Sequence, residues 1–157
     1  MEFLYWLEGT RLATFIRESQ SIYAYPTFLF LHALGLSIVV GISSGVALRV
    51  LGLAPSIPLA PLRGFFPWMW LGFAINTVSG SGLVIAYASS ELTNPVFLTK
   101  IAFVALAAAT MWLLDKKAFF NADGSEGVPR GGKVLAGTLI LFWLGAVISG
   151  RLIAYII

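Results

Sequence analysis

The sequence predicts an all-α integral membrane protein: a four-transmembrane-helix up-down bundle behind an N-terminal amphipathic interfacial segment. Three observations carry that expectation. Hydrophobic residues make up 59% of the 157 residues and charged residues 11%, against about 25% charged in a soluble domain. The mean hydropathy is +0.90. Four apolar stretches each reach the roughly 20 residues needed to cross a hydrocarbon core about 30 Å thick. So little polar surface leaves most side chains to face lipid or other protein.

Residues 1–20, MEFLYWLEGTRLATFIRESQ, read as the interfacial segment. They lack the basic start and unbroken apolar core of a secretory signal. Phe3, Leu4 and Leu7 share one helical stripe, and Leu12, Phe15 and Ile16 form a second after Gly9-Thr10, where Thr10 is a candidate cap. Charges fill the remaining positions. Two short amphipathic pieces lying in the membrane interface fit this pattern; a segment docked on the bundle is the alternative.

Residues 21–157 form the transmembrane domain, with spans expected at about 27–53, 67–88, 95–114 and 133–157. Pro26 precedes the first span. Pro55, Pro58 and Pro61 interrupt the chain between the first and second, since proline breaks a helix interior. Asn94-Pro95 opens the third with a capping side chain followed by proline at the first helical position. Asp115-Lys116-Lys117 closes it, and the polar run 122–132, ADGSEGVPRGG, reads as a flexible loop.

Loop charge predicts the orientation. Arg49, Arg63, Lys116, Lys117, Arg130 and Lys133 gather at the ends joined by the first and third loops, which places those ends in the cytoplasm. Both termini then face outward, the periplasm if the membrane is a bacterial inner membrane. Trp68, Trp70 and Trp112 fall near the cytoplasmic ends, where indoles favour the interface.

Three basic side chains lie inside apolar spans: His32, Lys100 and Arg151. Ionisable groups at such depth are costly and are functional candidates. The predicted topology puts all three in the outer leaflet at similar height, with no acidic residue in any span to neutralise them; either the acids near the outer surface, Glu18, Glu91 and those of the N-terminal segment, fold over the cluster, or a ligand supplies the negative charge. They are therefore the expected cofactor-binding residues. A haem b fits, with His32 as the metal ligand and Lys100 and Arg151 pairing with propionates. A quinone or an anionic lipid head group fits the same charges. The competing reading is that Lys100 and Arg151 snorkel to the interface and His32 bonds a neighbouring helix. Met69 and Met111 fall on the cytoplasmic side, so a second axial ligand would come from another subunit or a second copy.

Other chemistries are poorly supported. With no cysteine there is no thiol catalysis or thiolate metal site, and copper needs several clustered nitrogen or sulfur ligands. No phosphate loop, serine elbow or carboxylate pair is present. The net charge of +3 forms no basic stripe for nucleic acid. In the second span Asn76, Thr77, Ser79, Gly80, Ser81 and Gly82 read as close-packing surface or a polar lining. Gly41 to Gly45, Gly145 to Ser149 and Ala146 to Gly150 are small-xxx-small patterns that suit helix contacts, between subunits included.

The stretch Tyr25 to Leu53, with LHALGLSIVVG and ALRVLGL, resembles the first span of an uncharacterised family of small four-helix bacterial membrane proteins. Pro67-Trp68 and Gly72-Phe73 before a Ser79-Gly80 kink, NPVFLTK of Asn94 to Lys100, and SGRLIAY of Ser149 to Tyr155 are similar to later blocks of that family. The family is distantly similar to copper-resistance membrane domains and helical b-type cytochromes. That resemblance implies that His32 stands where a ligand histidine would. Taken together, the expectation is a non-catalytic membrane subunit that binds haem b or quinone and assists electron transfer, with lipid, other membrane subunits or a homo-oligomer as partners. The alternative is an accessory subunit of a larger complex with no cofactor of its own. A small transporter is the least supported reading, because four helices leave little room for alternating access.

Overall fold

The computed structural model describes residues 1–119 and 128–156. The described residues form helices α1 (Glu2–Glu8), α2 (Arg11–Glu18), α3 (Tyr25–Leu51), α4 (Phe66–Ala86), α5 (Ala88–Thr93), α6 (Pro95–Ala118) and α7 (Arg130–Ile156), with no strand among them. A 3-10 segment, Ala60–Phe65, leads into α4. Four helices, α3, α4 with that lead-in, α6 and α7, are long and apolar enough to cross a membrane. A 27-residue helix such as α3 is about 40 Å long.

Local chemistry explains where each helix starts and stops. Pro26 occupies the first turn of α3, where its missing N–H would be unpaired anyway. Gly52 ends α3 two residues short of the expected 53, because it turns left-handed at φ 109. The Leu53 N–H then reaches the Leu48 carbonyl at 3.0 Å and the Gly52 N–H the Arg49 carbonyl at 3.1 Å, closing the end as a Schellman motif. The Asn94 side chain accepts from the Val96 N–H at 2.9 Å and starts α6 as expected. Lys116 and Lys117 extend α6 past 114 to Ala118, since lysine is a good helix former and its charge suits a helix C-terminus. In α4 the helix is continuous through Ser79-Gly80, where a kink was expected, and the chain breaks at Tyr87 instead, at φ −133 and ψ 40. The last span begins at Arg130 rather than 133. Of the predicted 122–132 loop, residues 122–127 lie outside the described residues, as does Ile157.

Helix α3 packs along α4, α6 along α7, and α3 against α7, which joins the two pairs. The α3–α4 contact is backbone on backbone. A Cβ built on Gly35 would lie 2.5 Å from the Asn76 nitrogen, and one on Gly72 would lie 2.9 Å from the Val39 nitrogen. At α6–α7, a Cβ on Gly145 would lie 2.9 Å from the Phe103 ring. Buried Ala146 and Ser149 flank that contact, so the small residues of α7 serve helix packing. Gly41 and Gly45 of α3 face open space instead.

The buried apolar cluster lies in one half of the bundle. It runs from Val39 to Val50 on α3, through Met69 on α4 and Met111 on α6, to Trp143 on α7. Arg49 stands at the same end, donating to the carbonyls of Ile57 at 2.5 Å and Pro55 at 3.2 Å. Arg63 approaches Asp115 at 3.8 Å. Around the other end, α3, α4, α6 and α7 carry polar side chains. The outward surface of the long helices is apolar, with Phe30, Val78 and Leu141 more than 60% exposed. Lipid satisfies such a surface where water would not.

Gly35→Ala should force the α3 and α4 backbones apart and cost about 1–3 kcal/mol, the usual range for overpacking. Gly41→Ala meets nothing and should be neutral or stabilising by up to about 1 kcal/mol through helix propensity. Thermal melts of both variants in one mild detergent test the difference. Equal destabilisation would contradict this helix pairing.

Candidate polar site between the helices

Asn76 is buried on α4, directly opposite His32 on α3. The two residues exchange hydrogen bonds with each other's backbone. His32 Nδ1 lies 3.0 Å from the Asn76 carbonyl oxygen, and Asn76 Nδ2 donates to the His32 carbonyl at 2.9 Å. A carbonyl only accepts, so the first bond requires a proton on Nδ1. That leaves the 3.3 Å approach of Asn76 Nδ2 to the same Nδ1 as a packing contact. In the neutral ring Nε2 then carries a free lone pair. A backbone carbonyl that fixes the tautomer in this way also orients the ring.

Gly80 makes room for the imidazole. A Cβ there would sit 2.8 Å from His32 Cε1 and 3.0 Å from Nδ1. One turn earlier on α3, Phe28 lies over Gly82 in the same manner, with Ile16 of α2 beside it. The small and polar residues of α4 are thus packing surface and site wall at once.

Lys100 on α6 is half-buried, its stem lying on Gly150 of α7, where a Cβ would be 3.4 Å from Cε. Its ammonium is 5.9 Å from the Phe97 ring centroid and within electrostatic range of both His32 and Glu91. Arg151 departs from the expected cluster. It is exposed, its guanidinium 5.9 Å from its own Tyr155 ring. Successive helical residues point about 100° apart, so with Gly150 turned to Lys100 the Arg151 side chain points aside. His32 and Lys100 converge; Arg151 does not join them. By helix rise, His32 lies about 10 Å from the Tyr25 end of α3 and Lys100 about 8 Å from the Pro95 end of α6.

Glu91 is one of the outer-surface acids that the sequence offered to fold over the cations. It sits on α5, outside the long helices, half-buried near Lys100. Burial pushes its carboxyl above the usual range, while Lys100 pulls the other way. The ammonium therefore has a carboxyl of this chain close by. The sequence left open which of the outer-surface acids approaches the cations; the position of α5 selects Glu91 for Lys100.

The N-terminal segment holds α5 in place. Glu8 Oε1 accepts from the Ser89 N–H and the Ser89 hydroxyl, both at 2.7 Å. Arg17 Nη1 donates to the Ala86 carbonyl at 3.1 Å. The carboxylate thus stands at the first turn of α5 and the guanidinium at the last carbonyls of α4, the two signs that helix dipoles favour. Ala13 and Ile16 are fully buried against the bundle. The expected second stripe is split: Ile16 packs inward, while Leu12 and Phe15 are 45% exposed. Phe3 and Trp6 stack at 5.8 Å and also face outward. The segment is docked on the bundle, and Thr10 caps α2 by accepting from Ala13 N at 3.4 Å.

The described residues contain no group of three or more histidine, cysteine, aspartate or glutamate side chains arranged to hold a metal ion. Fold and site together define a class: an all-helical, multi-pass membrane protein with a polar site between its long apolar helices. No family model matches the sequence, and searches of curated proteins and of solved structures return no match. The resemblance to a four-helix bacterial family rests on the sequence blocks alone.

The Ser89 hydrogen bonds hold the Glu8 carboxyl below its usual range. A depressed carboxylate stabilises the docked state fully above its unfolded pKa of about 4.3, and that contribution is lost as pH falls through the folded value. The segment should therefore be protected at pH 7 and loosen below about pH 4. Glu8→Gln should loosen it at pH 7. Hydrogen exchange across Glu2–Glu18 and Ala88–Thr93 reads both. Gly80→Ala should displace the imidazole and lower the melting temperature by an amount comparable with Gly35→Ala; retention of wild-type stability would contradict the ring's placement.

Proposed function

We propose that this chain is an integral membrane subunit that binds the head group of a quinone or quinol at His32 and Lys100, in the outer half of a bacterial inner membrane. In this reading the four spans run up and down with both termini outward, consistent with the basic residues gathered at the ends joined by the first and third loops. The exposed Phe3, Trp6, Leu12 and Phe15 of the docked segment then lie in the outer interface, where aromatic and aliphatic side chains are favoured.

One observation carries the reading. The His32 Nδ1–H is spent on the Asn76 carbonyl, so Nε2 is an acceptor, and the nearby Lys100 ammonium is a donor. A quinol hydroxyl donates to Nε2, and a quinone carbonyl accepts from the ammonium. An apolar isoprenoid tail suits the lipid-facing surface around the site. Electron transfer would then involve partner subunits that meet the bundle in the membrane.

Haem b is the second reading, favoured by the same free Nε2, which is how an axial histidine is presented. Here His32 would be the ligand and Lys100 a propionate partner. The methionines of the long helices, Met69 and Met111, are buried in the apolar cluster at the far end. A second ligand would therefore come from outside the chain, which makes quinone the better fit.

Protein purified in mild detergent should bind decylubiquinol, whose hydroxyl donates to His32 Nε2, seen as quenching of tryptophan fluorescence. His32→Ala should weaken that binding at least tenfold, about 1.4 kcal/mol. Binding unchanged in His32→Ala, or none in the wild type, overturns the quinone reading. Reduced-minus-oxidised b-type bands that vanish in His32→Ala would establish the haem reading instead. Neither ligand, with co-purification of other subunits, would favour an accessory role.

A further inference from the structure

The quinone reading uses two groups, yet Lys100 stands within electrostatic range of a third, Glu91. Helix α5 exists because α4 breaks at Tyr87, and it is tied at both ends. Glu8 holds its first turn through Ser89 at 2.7 Å, and the Asn94 N–H bonds the Glu91 carbonyl at 3.1 Å just before α6 begins. The tie leaves Glu91 little freedom. On α6 the Cα–Cβ bonds tilt toward the N-terminus, which is the α5 end, so Lys100 leans toward Glu91. The order from bundle interior to outer surface is His32, Lys100, Glu91.

We propose that Glu91 is the third polar member of the site, a carboxyl on the outer side of the head group that donates a hydrogen bond to a quinone carbonyl when protonated and accepts one from a quinol hydroxyl when ionised. This rests on the quinone reading above. The geometric grounds are the half-buried position on a helix anchored by the N-terminal segment and the proximity to Lys100. Burial also raises the Glu91 carboxyl above its usual range, against the pull of Lys100. The charged group acting on it is Lys100 from α6, which also acts on His32 of α3; Glu8 of α1 bonds Ser89 on the same short helix, and Arg17 of α2 bonds the end of α4. His32 is the other group able to produce a pH slope in this range.

The two redox forms then depend on pH in opposite directions. Affinity for decylubiquinone falls as pH rises through the Glu91 titration, because a donor is lost. Affinity for decylubiquinol rises over the same interval, because an acceptor is gained. Fluorescence titrations of the full-length protein in detergent, from pH 4.5 to 8, measure both. Wild type should show slopes of opposite sign, each about tenfold across the range. Glu91→Gln should flatten both to less than twofold while quinol binding stays sensitive to His32→Ala. Glu91→Asp keeps a carboxyl and should keep opposite slopes, which separates the chemistry from a folding defect. Slopes that survive Glu91→Gln belong to His32 and overturn this proposal alone. Slopes of the same sign for the two forms in wild type overturn it too. Absence of any His32-dependent quinol binding in wild type overturns the quinone reading and this inference with it.

Discussion

Everything at the polar end of this bundle depends on how closely α3 approaches α4. Gly35 and Gly72 let the two backbones touch, and neither position has space for a methyl group. Only at that separation can the His32 and Asn76 side chains reach each other's carbonyls. Interhelical hydrogen bonds in membranes average about 0.6 kcal/mol and reach about 1.7. The pair therefore sets register and rotation more than it supplies stability; the close packing of small residues does the larger share.

The bundle divides its labour along its length. One half is an apolar cluster of Val39, Val46, Met69, Met111, Leu139 and Trp143, with loop arginines beyond it. The other half trades apolar packing for hydrogen bonds and charge. Polar groups in hydrocarbon are expensive, so each must be compensated nearby. His32 is compensated by Asn76. Lys100 is compensated by its proximity to Glu91 and by the Gly150 surface under its stem. The helix break at Tyr87 would leave free carbonyls and N–H groups at the membrane surface. Arg17 and Glu8 take up part of both sets, which ties the N-terminal segment to the geometry of α5 and so to Glu91.

This coupling changes the electrostatic picture of the site. Three cations in apolar spans call for an outside anion. Two converging groups with a carboxyl at hand do not; they form a small set of donors and acceptors. In the proposed reading such a set favours a neutral ligand with polar edges over a strongly anionic one, because Lys100 already has a carboxyl nearby. The fixed imidazole tautomer adds direction, since Nε2 accepts and the ammonium donates. That is why the proposed head group is a quinone before it is a phosphate or a propionate.

The sequence by itself determined the class: four apolar stretches of membrane length, the Asn94-Pro95 start, the proline-rich turn after the first span, and the presence of His32 and Lys100 in apolar surroundings. These are legible because length, composition and caps act within a few residues of chain. The tertiary structure decided which faces meet. The long helices are apolar on nearly every side, so no periodic stripe says which way each is turned. Hence Arg151 was placed with the site by depth although its rotation takes it aside. Asn76 and Gly80 read as generic small-residue packing until α3 was laid against them. Gly41 and Gly45 offered a packing pattern that the chain's own helices do not use. Glu91 lay outside every span, and only the break at Tyr87, capped by residues some 70 to 80 positions earlier, brings it back to Lys100. The polar site that began as three uncompensated cations is, in three dimensions, a histidine, a lysine and a carboxyl held in place by the far end of the chain.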